Sequence, residues 1–418
     1  MNIEKYSIGI GDRFGKEGSA QLRAVQKAEQ AGQVVVPVWN KSNREHMLIG
    51  TKPDDVRVEA DAAVKAGGWK HAYYVDADHI GLKTVDGFLA ASNFFTHDVA
   101  DYIGKAAPEE DIAAFVRDMA PFTAKGVLRI PGVEQTFEVT DAVLEKIARN
   151  YLFAVSEAGR IYRHVAAAKG ADNFVPEVST DEANDPQQPF ELFFILAAIA
   201  REKIPVQTIA PKFSGKFLKG IDYVGDIRVF EREFDADLAV VAHARTVFGL
   251  PASLKISVHT GSDKFSLYPI MHRALKKHGA GLHLKTAGTN WLEEVIGIAQ
   301  SGPKGLAIAQ KIYAQALARF DEMCKPYATV VEIDRMWLPT PAEVNAWTAE
   351  AFVKALRHDQ SCAEYNVHLR QLVHVAFRVA AEMGDEFRAA LDQAREIAGR
   401  CVTDNLFDRH IRPLFLGA

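Results

Sequence analysis

Cysteine is scarce: Cys324, Cys362 and Cys401 are the only three in 418 residues, and none belongs to a CxxC pair. So sparse and odd a count excludes a disulfide framework or an all-cysteine zinc site, and it suits a reducing compartment. An excess of positive charge is also missing. Lys and Arg number 49 against 54 Asp and Glu, for a net charge of −5, so no general basic surface for nucleic acid is indicated. No apolar run can span a bilayer; the most apolar, 190–200, is short and broken by Glu191. The opening MNIEKYSIGIGDRFG has neither the basic start nor the apolar stretch of a secretory signal. A cytoplasmic chain with no membrane or nucleic-acid partner is expected, and a homo-oligomer is compatible with it. With 48% hydrophobic and 25% charged residues, disorder and low complexity are excluded as well.

What is present is a series of short apolar, β-rich runs, most of them followed by a helical pattern. They are 6–11 (YSIGIG), 34–39 (VVVPVW), 72–76 (AYYVD), 173–178 (NFVPEV), 206–210 (VQTIA), 254–259 (LKISVH), 282–285 (LHLK) and 329–333 (TVVEI). Runs of this kind, bounded by turns, read as strands buried on both faces of a parallel sheet. Eight of them predict an α/β fold, a (β/α)8 TIM-type barrel, over 1–335. The long interval after the third run reads as an insertion, about 85–168. It holds a hairpin, 127–130 against 135–139 around PGVE, and a helix from 141 to 168 capped by Thr140 or Asp141. Residues 336–418 read as a helical C-terminal extension.

In such a barrel the chemistry sits at the carboxyl ends of the strands. Those ends are polar here: Asp12-Arg13, Asn40-Lys41, Asp76-Ala-Asp78-His79, Glu177, Lys212, His259-Thr-Gly-Ser262-Asp263-Lys264 and His283-Leu-Lys285. His79, His259 and His283 come from three strands, and neutral imidazoles at rigid strand ends suit a divalent zinc, nickel or manganese ion. Any one histidine is more often a packed or surface residue; the set of three is what points to metal. Alternation places His283 and Lys285 on one face, both turned into the barrel. Asp78, beside a metal ligand, fits a base taking a proton from a substrate hydroxyl, with a turn-capping role as its plain alternative. Glu177 within a strand is costly unless paired, which makes it a second acid/base candidate or half of an ion pair with Lys212 or Arg13. Arg13, Lys212, Ser262, Lys264 and Lys285 would favour an anionic small substrate.

Other motifs fail. Gly9-x-Gly11-x-x-x-Gly15 places its last glycine one residue late for a dinucleotide loop, and no acidic residue ends the second strand. Gly15-Lys16 is followed by Glu17 and makes no phosphate loop. His368, Gln371 and His374, set among apolar neighbours, read as packing or capping residues.

The blocks VDADHIG (75–81), PEVSTDE (176–182), APKFSGKF (210–217), KISVHTGSDKFSLYP (255–269) and GLHLKTAGTNW (281–291) resemble the tagaturonate epimerase family. The resemblance runs over nearly the whole chain. It implies a bacterial enzyme of hexuronate breakdown that interconverts D-tagaturonate and D-fructuronate. The Asp-His of VDADHIG and the His-x-Gly-Ser of VHTGS are also similar to metal-dependent class II aldolases, in which the glycine-serine segment holds a phosphate. Here Thr260 replaces a glycine and Asp263-Lys264 follow, so a carboxylate is the better fit.

The two keto acids differ at C4, where enolisation of the C2 ketone gives no help. Transient oxidation or retro-aldol opening of the C3–C4 bond therefore remains, with metal-assisted deprotonation at carbon as another route. The chain has no convincing nicotinamide loop but does have an aldolase-like constellation. An aldolase acting on a keto-sugar acid or phosphate, and a noncatalytic sugar-acid-binding subunit, are the competing readings.

Overall fold

The computed structural model describes residues 1–123, 125–286 and 288–418. Its strands, in chain order, are β1 (Tyr6–Ile10), β2 (Val36–Ser42), β3 (Tyr74–Ile80), β4 (Phe94–Asp98), β5 (Val127–Leu128), β6 (Phe137–Glu138), β7 (Val175–Ser179), β8 (Thr208–Ala210), β9 (Lys255–His259) and β10 (Leu282–Lys285). All but β5 and β6 close into a parallel barrel in the order β1-β2-β3-β4-β7-β8-β9-β10, with β10 hydrogen-bonded back to β1. This is the (β/α)8 architecture expected from the sequence.

Two strand assignments change. Residues 329–333 form no strand; the eighth place belongs to β10, and β4 is the fourth strand. The Phe94–Asp98 run is easily missed because the link from β3 to it carries only the short helical turn Val85–Phe88. Without an intervening helix the βα rhythm is hidden. The interval 85–168 thus contributes a barrel strand, and the added elements lie between β4 and β7. They are helix Glu109–Thr123, the β5–β6 hairpin, and helix Asp141–Lys169, whose Thr140 cap accepts from Val143 N at 3.3 Å.

The barrel interior changes character from bottom to top. Alternate residues point inward, and at the lower end Val36, Val38, Tyr74, Phe94 and Val175 pack with Ile3 into an apolar plug. Two positions higher, the same strands carry Asn40, Asp76, Thr96 and Glu177, all buried. The carboxyl-end layer is therefore polar because the inward positions there are occupied by polar residues.

Helices continue from Thr289, well before 336. Helix Thr289–Gln300 is buried along nearly its whole length and centres a second core that includes Tyr313, Phe352, Leu372 and Phe387. Phe14, from the loop after β1, joins that core against Trp291 and Phe387, with ring centroids 5.7 and 4.6 Å away. Helix Asp385–Asp404 crosses Thr289–Gln300 where Gly297 meets Ala398; a Cβ on Gly297 would stand 2.4 Å from the Ala398 Cα. The final helix, Asn405–Leu416, returns against Gly18–Gln30 and Tyr268–His278 and completes the outer ring. Among the described residues no helix is long and apolar enough to cross a membrane.

Candidate active site

The rim of β3 is irregular. Its pairing with β4 shifts between Ala77 and Ile80, and His79 adopts a φ of 50°, rare for a residue with a side chain. Strict alternation would send Asp78 and His79 to opposite faces. The bulge turns both toward the barrel mouth, and the His79 ring meets that of His259 with centroids 5.2 Å apart.

The His259 Nε2 lies 2.9 Å from Glu177 Oε1, and its Nδ1 lies 3.1 Å from Asp181 Oδ2. The His79 Nδ1 is 3.4 Å from Asp98 Oδ2. Neither Nδ1 has the alignment of a hydrogen bond, and both are buried without a hydrogen-bond partner. His79, Asp181 and His259 are a group of potential metal ligands whose donor atoms all lie within 4.8 Å of one another. Donors about 2.1 Å from one cation stand about 3.0–3.4 Å apart, so the donor set fits a divalent ion after small adjustments. Glu177 behind His259 makes a carboxylate–histidine pairing that orients an imidazole for a metal.

Below this group, Lys285 reaches up from β10. Its Nζ is 2.8 Å from Asp76 Oδ2, 2.7 Å from Asp78 Oδ1, 3.3 Å from Glu177 Oε1 and 2.6 Å from Thr96 Oγ1. Gly9 on β1 makes room for this stem, since a Cβ there would come within 2.8 Å of Lys285 Cγ. Burial opposes charge throughout the cluster, and partners decide which groups keep it. Asp78 is driven up by burial, but Lys285 and His79 outweigh that and bring it down to about 2. Glu177, also opposed by burial, is held well below the carboxylate range by Lys285 and His259. For Asp76 burial wins over Lys285 and pushes it up to about 7. The site thus pairs an ionised carboxylate with a proton-holding one across a single ammonium.

Not every sequence-derived candidate joins the group. His283 lies deeper, paired with Ser7 across the β1–β10 ladder; its Nδ1 is 2.9 Å from Ser7 Oγ, its ring is tilted against Phe94 with centroids 5.2 Å apart, and burial lowers it to about 3. The pleat fixes this: His283 and Lys285 share a face but sit two residues apart in height. Lys264 donates to the carbonyls of Leu218, Ile221 and Asp263 at 3.0, 2.8 and 2.9 Å. Ser262 accepts from Gly220 N at 2.8 Å, and Lys212 Nζ donates to the Ala183 carbonyl. These three brace loops. Arg13 is buried, with Nη2 2.8 Å from Glu45 and its guanidinium over Phe377. His368 and Gln371 anchor residues 332–334, as packing residues would.

Sequence reading passed over Asp181 and Asp98. Asp181 lies four residues beyond Glu177 in the loop after β7, where the strand-end rule reaches it. Asp98 could not be found without β4. Asp263 was also underrated. It accepts from Arg370 Nη2 at 2.6 Å and Thr289 Oγ1 at 2.7 Å and lies 3.0 Å from His358 Nδ1. It ties the β9 loop to the C-terminal helices.

The sequence model of the tagaturonate epimerase family matches residues 1–386. The tagaturonate/fructuronate epimerase of Thermotoga maritima is 27% identical over 419 residues, spanning 97% of this chain and 80% of its own. The glycerol-complexed crystal structure of a fructuronate-tagaturonate epimerase from Cohnella laeviribosi superposes with a TM-score of 0.81 at 24% identity, covering 99% of this chain and 82% of that one. The native form of that protein gives 0.71 at the same identity, over 98% and 82%. These superpositions carry the fold.

Proposed function

This chain belongs to the tagaturonate epimerase family, and on that footing we propose that it interconverts D-tagaturonate and D-fructuronate at C4 with the help of a divalent metal. The observation that carries the metal-assisted reading is the convergence of His79, Asp181 and His259 beside an ionised Asp78. Zinc, nickel or manganese held by those three side chains would act as a Lewis acid on adjacent substrate oxygens. In this reading Asp181 would take the ligand place expected of His283.

The chain's own groups supply the proton traffic. Asp78 Oδ1 accepts the proton of the C4 hydroxyl as the C3–C4 bond opens and its electron pair moves toward the C2 carbonyl oxygen. The C4 aldehyde turns its other face and the bond re-forms, after which Asp78 returns the proton. Lys285 keeps Asp78 ionised beforehand and stands beside Asp76, which can hold a proton near neutral pH. With a metal on Nδ1, Glu177 would accept from His259 Nε2, 2.9 Å away, and so hold the imidazole in the tautomer a metal ligand needs. Its Oε2 is buried without a hydrogen-bond partner and is the remaining acid/base atom at the floor. A reducing cytoplasm suits the three free cysteines.

The test is carbon NMR of D-fructuronate incubated with chelated and then remetallated protein. Metal-dependent appearance of D-tagaturonate is the expected result. Three-carbon fragments would instead identify an aldolase, and an unchanged substrate with every metal would remove the reading.

A further inference from the structure

The ammonium groups of Lys212, Lys264 and Lys285 are all held by protein oxygens, so the substrate's carboxylate must look elsewhere for a counter-charge. A different corner of the rim offers one. Gly261, two residues beyond His259, has a φ of +65°, and a Cβ built there would stand 3.2 Å from Lys219 Nζ. A Cβ on Gly288 would stand 2.2 Å from the Gly261 carbonyl oxygen and 3.0 Å from His374 Nε2. The bare backbones of two glycines thus let an ammonium on the loop after β8 and an imidazole on the C-terminal helix Val367–Val375 close in on the same corner.

Both groups are poised for a ligand. Lys219 is anchored through its backbone N to the Val330 carbonyl at 2.8 Å. Burial lowers its ammonium from the usual lysine range, and Glu45, Arg13, Glu182 and Arg44 act on it through charge, with no hydrogen-bonding partner among them. His374 is 2% exposed, and its Nε2 is buried without a hydrogen-bond partner. Burial, with Arg13 and Lys219 nearby, keeps that ring neutral, so one nitrogen can donate. Helix Thr289–Gln300 starts at this corner with no side-chain cap, adding the positive end of its dipole.

We propose that Lys219 and His374, at the uncapped start of helix Thr289–Gln300, form the subsite for the sugar acid's carboxylate, so that the C-terminal helices complete the catalytic pocket. The inference rests on the epimerase reading above. The dimensions agree: an extended six-carbon acid is about 6 Å from end to end. With its central oxygens at His259, its terminal carboxylate can reach the neighbourhood of Gly261.

The test compares wild type with Lys219→Gln and Lys219→Arg on D-fructuronate. Loss of a charged hydrogen bond should raise KM at least about tenfold in Lys219→Gln while kcat stays within about threefold. The thermal midpoint should hold, and Lys219→Arg should recover most of the affinity. An unchanged KM in Lys219→Gln overturns the subsite. Should wild type fail to convert D-fructuronate, the epimerase reading falls, and calorimetry with D-gluconate and neutral D-mannitol decides the subsite separately. Weaker gluconate binding by Lys219→Gln, with mannitol binding unaffected, supports it; equal gluconate binding, or an equal loss for mannitol, overturns it.

Discussion

Lys285 Nζ stands 2.7 Å from Asp78 Oδ1, joining the end of the last barrel strand to the bulged end of the third. Asp76 and Glu177, both buried, share the same ammonium. Lys285→Met would leave carboxylates buried without a counter-charge, and a loss of about 3–5 kcal/mol is expected in urea denaturation. Adding Asp76→Asn should recover part of it. A Lys285→Met protein as stable as wild type would show that the cluster is solvated.

Asp78→Asn keeps the shape and removes the base. The expected outcome is a fall in kcat of about 10²–10⁴-fold with bound metal retained. Turnover near the wild-type rate would transfer the role of base to another carboxylate, with Glu177 next in line.

The ligand assignment separates two histidines. Asp181→Asn and His259→Ala should lower the metal retained after dialysis by about 10-fold or more, whereas His283→Gln should keep it. Elemental analysis of the dialysed proteins gives the answer, and metal loss from His283→Gln alone would restore the three-histidine set.

Asp263 anchors Arg370, His358 and Thr289, all buried with it. Asp263→Asn leaves the guanidinium of Arg370 without its counter-ion, and a destabilisation of about 3–5 kcal/mol is expected. Limited proteolysis should then cut first between 355 and 410, where His358 and Arg370 lie. A cleavage pattern like that of wild type would mean that apolar packing alone holds these helices.

Glu17 is buried beside Asp12, and burial followed by that neighbour raises it from 4.5 to about 8. The unfolded chain releases this proton near 4.5, so between about pH 4.5 and 8 the folded state binds one proton more. Stability therefore falls as pH rises through that window. Glu17→Gln cannot ionise and should gain on wild type with each pH unit up to about 8. Thermal denaturation at about pH 5, 6.5 and 8 compares the slopes; parallel slopes would place the pH dependence on another group.

The sequence by itself determined the layered barrel, because strands buried on both faces must be apolar and their polar ends must cluster at one mouth. It also determined that Asp78, His79, Glu177 and His259 share that mouth, since each ends or nearly ends a strand. The hairpin at 127–139 and the long helix from 141 were legible from turn chemistry and a Thr cap. What it did not carry was height and reach. Whether His283 or Lys285 arrives at the mouth depends on the register of β10 against β1, and two residues of rise put the imidazole among Ser7 and Phe94 and the ammonium among carboxylates. The bulge at His79 is a property of the β3–β4 pair, invisible while β4 was unseen. Lys212 and Lys264 look like free cations in one dimension because most of the carbonyls that hold them lie on other loops. Only the closed tertiary structure brings Asp181 to His259, and His374 to the rim.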